Sequence, residues 1–337
     1  MAMVTLSEVA RHAGVSLATA SRVLNGSART PAADIADRVR AAATTLGYVP
    51  NAQAQALARS STSLIGLVVH DIADEYFASI AKGVQRVAAD RDRQLLLAVA
   101  GSIHSAAPEV DRAVTAFAAH RTDAIILAGS RTAATDAVRS RLEAYQGRGG
   151  RVVTVGQSWV PGAAAVRIAN REGMAELVAA LAADGQRRFA YLTGPDAALA
   201  TVDDRLAGYL DGIVATGAES VALIRGEFSM AGGHECGGRL LEQLTSTRRR
   251  PVTVLAGNDV MALGAASAFA EAGLRIGLDI KVAGFDDIGV LTHLSPGLTT
   301  YRLPLGEIGG LAAELAMDPE LPDPAPVTGE VIRRASA

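Results

Sequence analysis

Between Leu64 and Phe285, short apolar runs alternate with helical patterns, and this alternation limits the body of the chain to one fold class. "LIGLVV" (64–69) precedes a helix over 76–90, "QLLLAVA" (94–100) one over 108–119, and "DAIILAG" (123–129) one over 133–145. "RVVTVG" (151–156) and "AVRIA" (165–169) follow, then a helix over 172–183. A second series begins at "FAYLTG" (189–194), with a helix over 202–215, "VALIRG" (221–226) and a helix over 231–245. It closes with "VTVLAG" (252–257), a helix over 259–272 and "IKVAGF" (280–285). Continuous apolar strands separated by helices predict parallel sheets covered on both faces. Two such series predict two doubly wound lobes. Ligands on such sheets bind at the carboxyl ends of the strands, which places a site in the cleft between the lobes.

The first sixty residues follow another pattern. In "VTLSEVARHAGVSLATASRVLNG" (4–26), Thr5 and Glu8 fit a capping box, in which two side chains satisfy each other's backbone donors. Leu6, Val9, Ala10 and Ala13 recur at helical spacing, and Gly14 stands where a glycine ends a helix. Ser16 is placed to cap a second helix with Ala20, Val23 and Leu24 on its inner face. Two short helices around a tight glycine turn make either an ordinary αα-hairpin or a helix-turn-helix whose second helix enters a DNA major groove. Pro31 opens a third helix, carried by Ile35, Val39, Ala42, Ala43 and Leu46 and ended at Gly47.

Charge is distributed in keeping with a nucleic-acid-binding head. The chain carries −3 overall, yet residues 1–60 hold six arginines against Glu8, Asp34 and Asp37, so the basic charge sits on the head and the acidic excess on the body. Cys236 is the only cysteine, which fits a reducing cytoplasm. Glu8 and Arg11 interrupt the N-terminus before a signal-peptide core develops, and no uncharged apolar run approaches the ~18 residues of a membrane span.

Residues 1–60 resemble the DNA-binding headpiece of the lactose-repressor (LacI-type) family of bacterial transcription regulators. The likeness rests on "VTLSEVARHAGVSLATASRVLN", on a third helix ending in "LGYVPN", and on a hinge segment ending in "LA" at Ala58. The body is similar to the same family through "IGLVVHDIADEYFASIAKGV", "RLAGYLDGI" (205–213), "AGNDVMALGA" (256–265), "VAGFDDI" (282–288) and "LTTYRLP" (298–304). The resemblance implies an α/β protein with an N-terminal helix-turn-helix headpiece over 1–60, hinge helix 51–58, and a two-lobed, doubly wound, periplasmic-binding-protein-like core over 61–337. Its first lobe is expected at 63–184 and 301–318, its second at 186–299 and 321–337.

The resemblance further implies a cytoplasmic homodimer whose partners are double-stranded operator DNA and a small-molecule effector, most commonly a sugar. It puts Thr5, Ser16, Leu17, Ala18, Thr19, Ser21, Arg22, Asn25, Asn51, Leu57 and Ala58 against DNA. Hydroxyls suit phosphates, Arg22 suits a guanine edge, and the apolar Leu17 and Ala18 suit a thymine methyl. Leu57 would wedge into the minor groove. For the effector it implies Tyr76 and Phe77 from the first lobe, and Arg205, Phe228, Asn258 and Asp286 from the second. Each has a plainer reading: Asn258 and Asp286 as helix caps, Phe228 as core. The chain departs from the family pattern in having Asp74-Glu75 for Asn-Pro and Ala169-Asn170 for Asp-Asn.

Enzyme chemistry finds no signature. Lys82 and Lys281 do not follow a glycine as a phosphate-binding loop requires, and position 238 is Gly where a second zinc histidine would stand after His234-Glu235. No catalytic residue, metal or cofactor is therefore expected. A periplasmic-type solute-binding protein without a DNA role is the alternative, and the headpiece argues against it.

Overall fold

The computed structural model describes residues 4–25, 31–49, 62–101, 106–129, 135–195, 199–244 and 252–337. They form two units, divided between Ser63 and Leu64. The hinge segment expected at 51–58 lies outside the described residues.

The N-terminal unit is three helices, α1 (Leu6–His12), α2 (Leu17–Asn25) and α3 (Ala33–Leu46). The capping box forms: Thr5 N–H donates to Glu8 Oε2 at 2.7 Å, and Thr5 Oγ1 accepts from Glu8 N–H. α1 stops at Gly14, whose φ of +65° is left-handed, while Val15 N–H closes back on the Ala10 carbonyl at 3.0 Å. Ser16 Oγ accepts from Thr19 N–H at 3.1 Å and so starts α2. Val9, Ala10, Ala13, Ala20, Val39, Ala42 and Ala43 make the core. α3 begins at Ala33, two residues after Pro31, with Ala32 as its N-cap.

The larger unit contains two sheets. β1 (Leu64–Val69), β2 (Gln94–Val99), β3 (Ala124–Ala128), β4 (Arg151–Val155) and β5 (Ala164–Val166) are ordered β2-β1-β3-β4-β5, all parallel. β6 (Arg188–Thr193), β7 (Glu219–Arg225), β8 (Thr253–Ala256), β9 (Lys281–Asp286), β10 (Thr299–Arg302) and β11 (Glu330–Ile332) form the second, ordered β7-β6-β8-β9-β10-β11. Its last strand runs antiparallel to β10. Both sheets change direction beside their first strand, β1 in one and β6 in the other, and such a switch point opens a crevice at the strands' carboxyl ends.

The helices are α4 (Glu75–Asp90), α5 (Ala106–Ala119), α6 (Asp136–Gln146), α7 (Asn170–Ala183), α8 (Ala200–Thr216), α9 (Met230–Leu244), α10 (Asp259–Glu271) and α11 (Leu305–Met317). After β10 the chain returns to the first lobe, where α11 packs on α4. The first lobe was expected to run to residue 184, and here the structure differs. α7 packs on α8 and touches β10 and β11, so the chain has entered the second lobe by Asn170. Periodicity marks the apolar face of a helix but not the sheet that will cover it.

Candidate ligand cleft and nucleic-acid interface

On the headpiece, Leu17, Ala18 and Arg22 are exposed on α2, with Leu17 at 51%. They present one apolar and basic surface opposite the buried Ala20. The hydroxyls expected at phosphates already have local partners. Thr5 Oγ1 donates to Glu8 Oε2 at 2.9 Å, and Ser16 Oγ lies 2.8 Å from Thr19 Oγ1. Thr5's backbone N–H and hydroxyl hold the Glu8 carboxyl below the usual carboxylate range. Ser21 is half-buried on the same helix, and Asn25 is its last residue. Asn51, Leu57 and Ala58 lie outside the described residues.

In the larger unit, the six residues expected to hold an effector line one cleft of about 560 Å³. Tyr76 and Phe77 come from the first turn of α4, which starts at the Asp74 cap: Asp74 Oδ1 accepts from Tyr76 N–H at 3.0 Å. Their rings meet edge to face at 5.0 Å, and Phe77 meets His70, just after β1, at 5.8 Å. Arg205, Phe228, Asn258 and Asp286 approach from the second lobe.

Arg205 anchors that side and is 2% exposed. Its Nη2 donates to Asp286 Oδ1 at 2.7 Å, Nη1 to the Gly257 carbonyl at 2.6 Å and Nε to Asn170 Oδ1 at 2.9 Å. The guanidinium also lies 4.0 Å over the Phe285 ring. A buried arginine requires such partners. Phe228 lies against Gly194 and Gly257, where a side-chain carbon would come within 2.6 Å and 2.8 Å of its ring. Two glycines at strand ends thus leave room for an aromatic ring at the cleft wall. Asn258 is the helix cap of its plainer reading and also lines the cleft. Its Oδ1 caps α10 by accepting from Met261 N–H at 3.0 Å.

Asp286 and Asp287 both have positive φ, +117° and +56°, conformations that cost energy in residues other than glycine. The surroundings hold this turn. Arg205 takes Asp286; Arg302 and Arg334 take Asp287 at 2.7 Å each; Asp259 Oδ2 accepts from Ile288 N–H at 3.0 Å. Asp286 is therefore not the helix cap that was its plainer reading; Ile288 precedes the short 3-10 helix that follows. Burial raises the Asp286 carboxyl to about 6 against the opposing pull of Arg205. Burial, then the charge of Asp286, raises Asp259 to about 7. Burial also raises Asp74, and Asp71 and Glu75 add to the rise.

Sequence reasoning did not assign Asn170, Asp259 or Asp74 to the site. The signal for Asp74 was its place two residues before Tyr76, at the start of α4. Asn170 and Asp259 act from behind Arg205 and Asp286, and local sequence does not reveal such long-range partners.

Comparison with known proteins agrees with this architecture. Residues 5–51 match the family model "Bacterial regulatory proteins, lacI family", and residues 178–336 match "Periplasmic binding protein-like domain". The HTH-type transcriptional regulator GalS of Salmonella typhimurium is 35% identical over 322 residues, covering 94% of this chain and 89% of that protein. The ribose operon repressor of Escherichia coli is 30% identical over 319 residues, covering 93% and 92%. Among solved structures, a lac repressor dimer bound to operator and the anti-inducer ONPF superposes with a TM-score of 0.84 at 26% identity, covering 99% of each chain. A complex of the transcriptional regulator CelR with cellobiose does so with a TM-score of 0.69 at 27% identity, covering 99% and 100%. A headpiece with an exposed recognition helix and a two-lobed core with one lined cleft, related over nearly their full length to these regulators, make the chain a member of the lacI family of bacterial transcription regulators.

Proposed function

We propose that the chain is a cytoplasmic repressor that binds an operator duplex as a homodimer, and that a sugar in the cleft controls its affinity for DNA. The observation that carries this reading is the convergence of Tyr76 and Phe77 from one lobe with Arg205, Phe228, Asn258 and Asp286 from the other. Aromatic faces and a few fixed polar groups in a concave site are what a small polar ring ligand requires. A relative named as a ribose operon repressor and a structural neighbour solved with cellobiose favour a sugar. Binding, not catalysis, is the role proposed for the site, because its arginine and aspartate are tied to each other and to the fold. Among the described residues, no helix is long and apolar enough to cross a membrane.

On the headpiece, Leu17, Ala18 and Arg22 are proposed to read base edges, while Thr5, Ser16 and Thr19 set the turn and present α2. Ser21, Asn25 and the hinge residues Asn51, Leu57 and Ala58 complete the proposed DNA surface. Dimerisation supplies a second head for a near-palindromic site. Leu97 and Val99 are 43% and 45% exposed on β2, the edge strand of the first sheet, and support a partner there.

A thermal-shift screen of the full chain against sugars, nucleosides and amino acids tests the ligand class. A stabilising sugar whose effect disappears in Phe228→Ala supports the reading. A stabilising amino acid or nucleoside, with no sugar active, contradicts it. DNA titration separates the solute-binder alternative, which predicts no sequence-selective complex.

A further inference from the structure

The described lining of the cleft carries more carboxylates than cations. Among its described lining residues are four carboxylates, Asp71, Asp74, Glu227 and Asp286, against one guanidinium, Arg205, and one imidazole, His70, which packs on Phe77. That guanidinium is already answered by Asp286 at 2.7 Å and shares its remaining bonds with Asn170 and Gly257. Asp74 stands on the other lobe, at the start of α4, close enough to feel both Arg205 and Asp286 electrostatically. One of its oxygens caps the helix through Tyr76 N–H, so its backbone position is fixed.

We infer that Asp74 is a specificity-determining residue, and that the cleft takes uncharged or amine-bearing sugars while rejecting their phosphorylated and carboxylated counterparts. This rests on the reading of the cleft as the effector site. An anion entering here meets carboxylates with no unmatched cation among the described lining residues. Like charges a few ångströms apart in a cleft walled by protein repel each other more than they would in bulk water. A hydroxyl or ammonium group has the opposite fate, since carboxylate oxygens accept its hydrogen bonds. Asp74 is half-buried, which sharpens the discrimination, because a carboxylate partly withdrawn from solvent gains more from a donor and loses more to another anion.

The experiment is calorimetric titration of the full chain with galactose, galactosamine, galacturonate, galactose 6-phosphate, ribose and ribose 5-phosphate. The wild type is expected to bind at least one uncharged or amine-bearing member about a hundredfold tighter than its anionic counterpart. In Asp74→Asn, which keeps a good helix cap, the anionic counterpart is expected to gain about tenfold while the uncharged sugar changes by about threefold or less. An anion binding the wild type as well as its parent sugar, in a manner lost in Asp286→Asn, overturns the charge selection and leaves the cleft assignment standing. A sugar that binds equally in wild type, Asp286→Asn and Phe228→Ala shows instead that the cleft is not the site. Binding of none of the six, by wild type and Asp74→Asn alike, also overturns the proposal, because the class named is then not the class taken.

Discussion

Glu75, on the first lobe, accepts a hydrogen bond from the backbone N–H of Val290, on the second, at 3.0 Å. Val290 lies in the 3-10 helix Gly289–His293, whose first N–H groups lack partners within the helix, so a carboxylate from across the cleft serves them. The bond joins the lobes beside the residue that starts α4, and its neighbour Asp74 lines the cleft. A second bridge, from Gln157 Nε2 to Asp204 Oδ2 at 2.7 Å, ties a first-lobe loop to α8.

Removing Glu75's clasp is expected to favour a more open core. Glu75→Ala loses one solvent-exposed hydrogen bond, about 1 kcal/mol, enough to shift a balanced open–closed equilibrium roughly fivefold. Small-angle scattering of the unliganded protein reads the change as a larger radius of gyration. Identical profiles for variant and wild type speak against a role in closure.

The Arg205–Asp286 pair makes a sharper energetic prediction. Arg205→Met strands the buried Asp286 carboxylate and is expected to cost about 3–5 kcal/mol in denaturant unfolding. Arg205→Met with Asp286→Asn removes the stranded charge, so the double variant is expected to be more stable than Arg205→Met alone. Additive losses would refute the pairing as the source of the cost.

Asp259 and Asp286 govern the pH dependence of core stability. Their folded values, about 7 and about 6, lie above the ordinary 3.8 because burial disfavours the charged forms. A raised acid contributes stability that is full below its unfolded value and lost as pH rises through the folded one. Wild-type stability is therefore expected to fall, relative to Asp259→Asn, by roughly 2 kcal/mol between pH 5 and pH 8. Parallel stability–pH curves for the two proteins run against this assignment. Asparagine preserves an acceptor for Ile288 N–H, and the Thr300 hydroxyl, which donates to Asp259 Oδ1 at 2.7 Å, turns to accept from the new amide.

In the headpiece, Arg22 is the exposed cation of α2. Arg22→Ala is expected to cost about 1–3 kcal/mol of operator binding and to relax preference at one base pair. A uniform loss across all sequences, with unchanged discrimination at fixed salt, assigns Arg22 to phosphate instead.

Periodicity located the strands from β1 to β9 to within two residues, except that β5 ends at Val166, three residues short of the run 165–169, because most are continuous apolar runs beside helices. It did not assign α7 to a lobe, nor did it show β11 turning antiparallel on a three-residue strand. The cleft residues Tyr76, Phe228 and Asn258 were legible only through the resemblance to the family, whose pattern they match where a strand ends or a helix begins. The support for Asp286 was not. Asp259, Arg302 and Arg334 reach the turn after β9 from distant parts of the chain, and their pairing exists only once both α10 and β10 flank that strand.

A ligand held by Asp286 is proposed to change DNA affinity through the core. Asp286→Asn keeps the side chain's shape and removes the anionic acceptor. The decisive measurement is affinity for a duplex selected by the wild-type protein from a randomised pool, with and without the sugar that stabilises the wild type. Typical coupling of about 1–3 kcal/mol predicts a 5- to 150-fold ligand-dependent change for wild type. Asp286→Asn is expected to hold the unliganded DNA affinity and show no ligand response. A variant that responds as the wild type does contradicts the account.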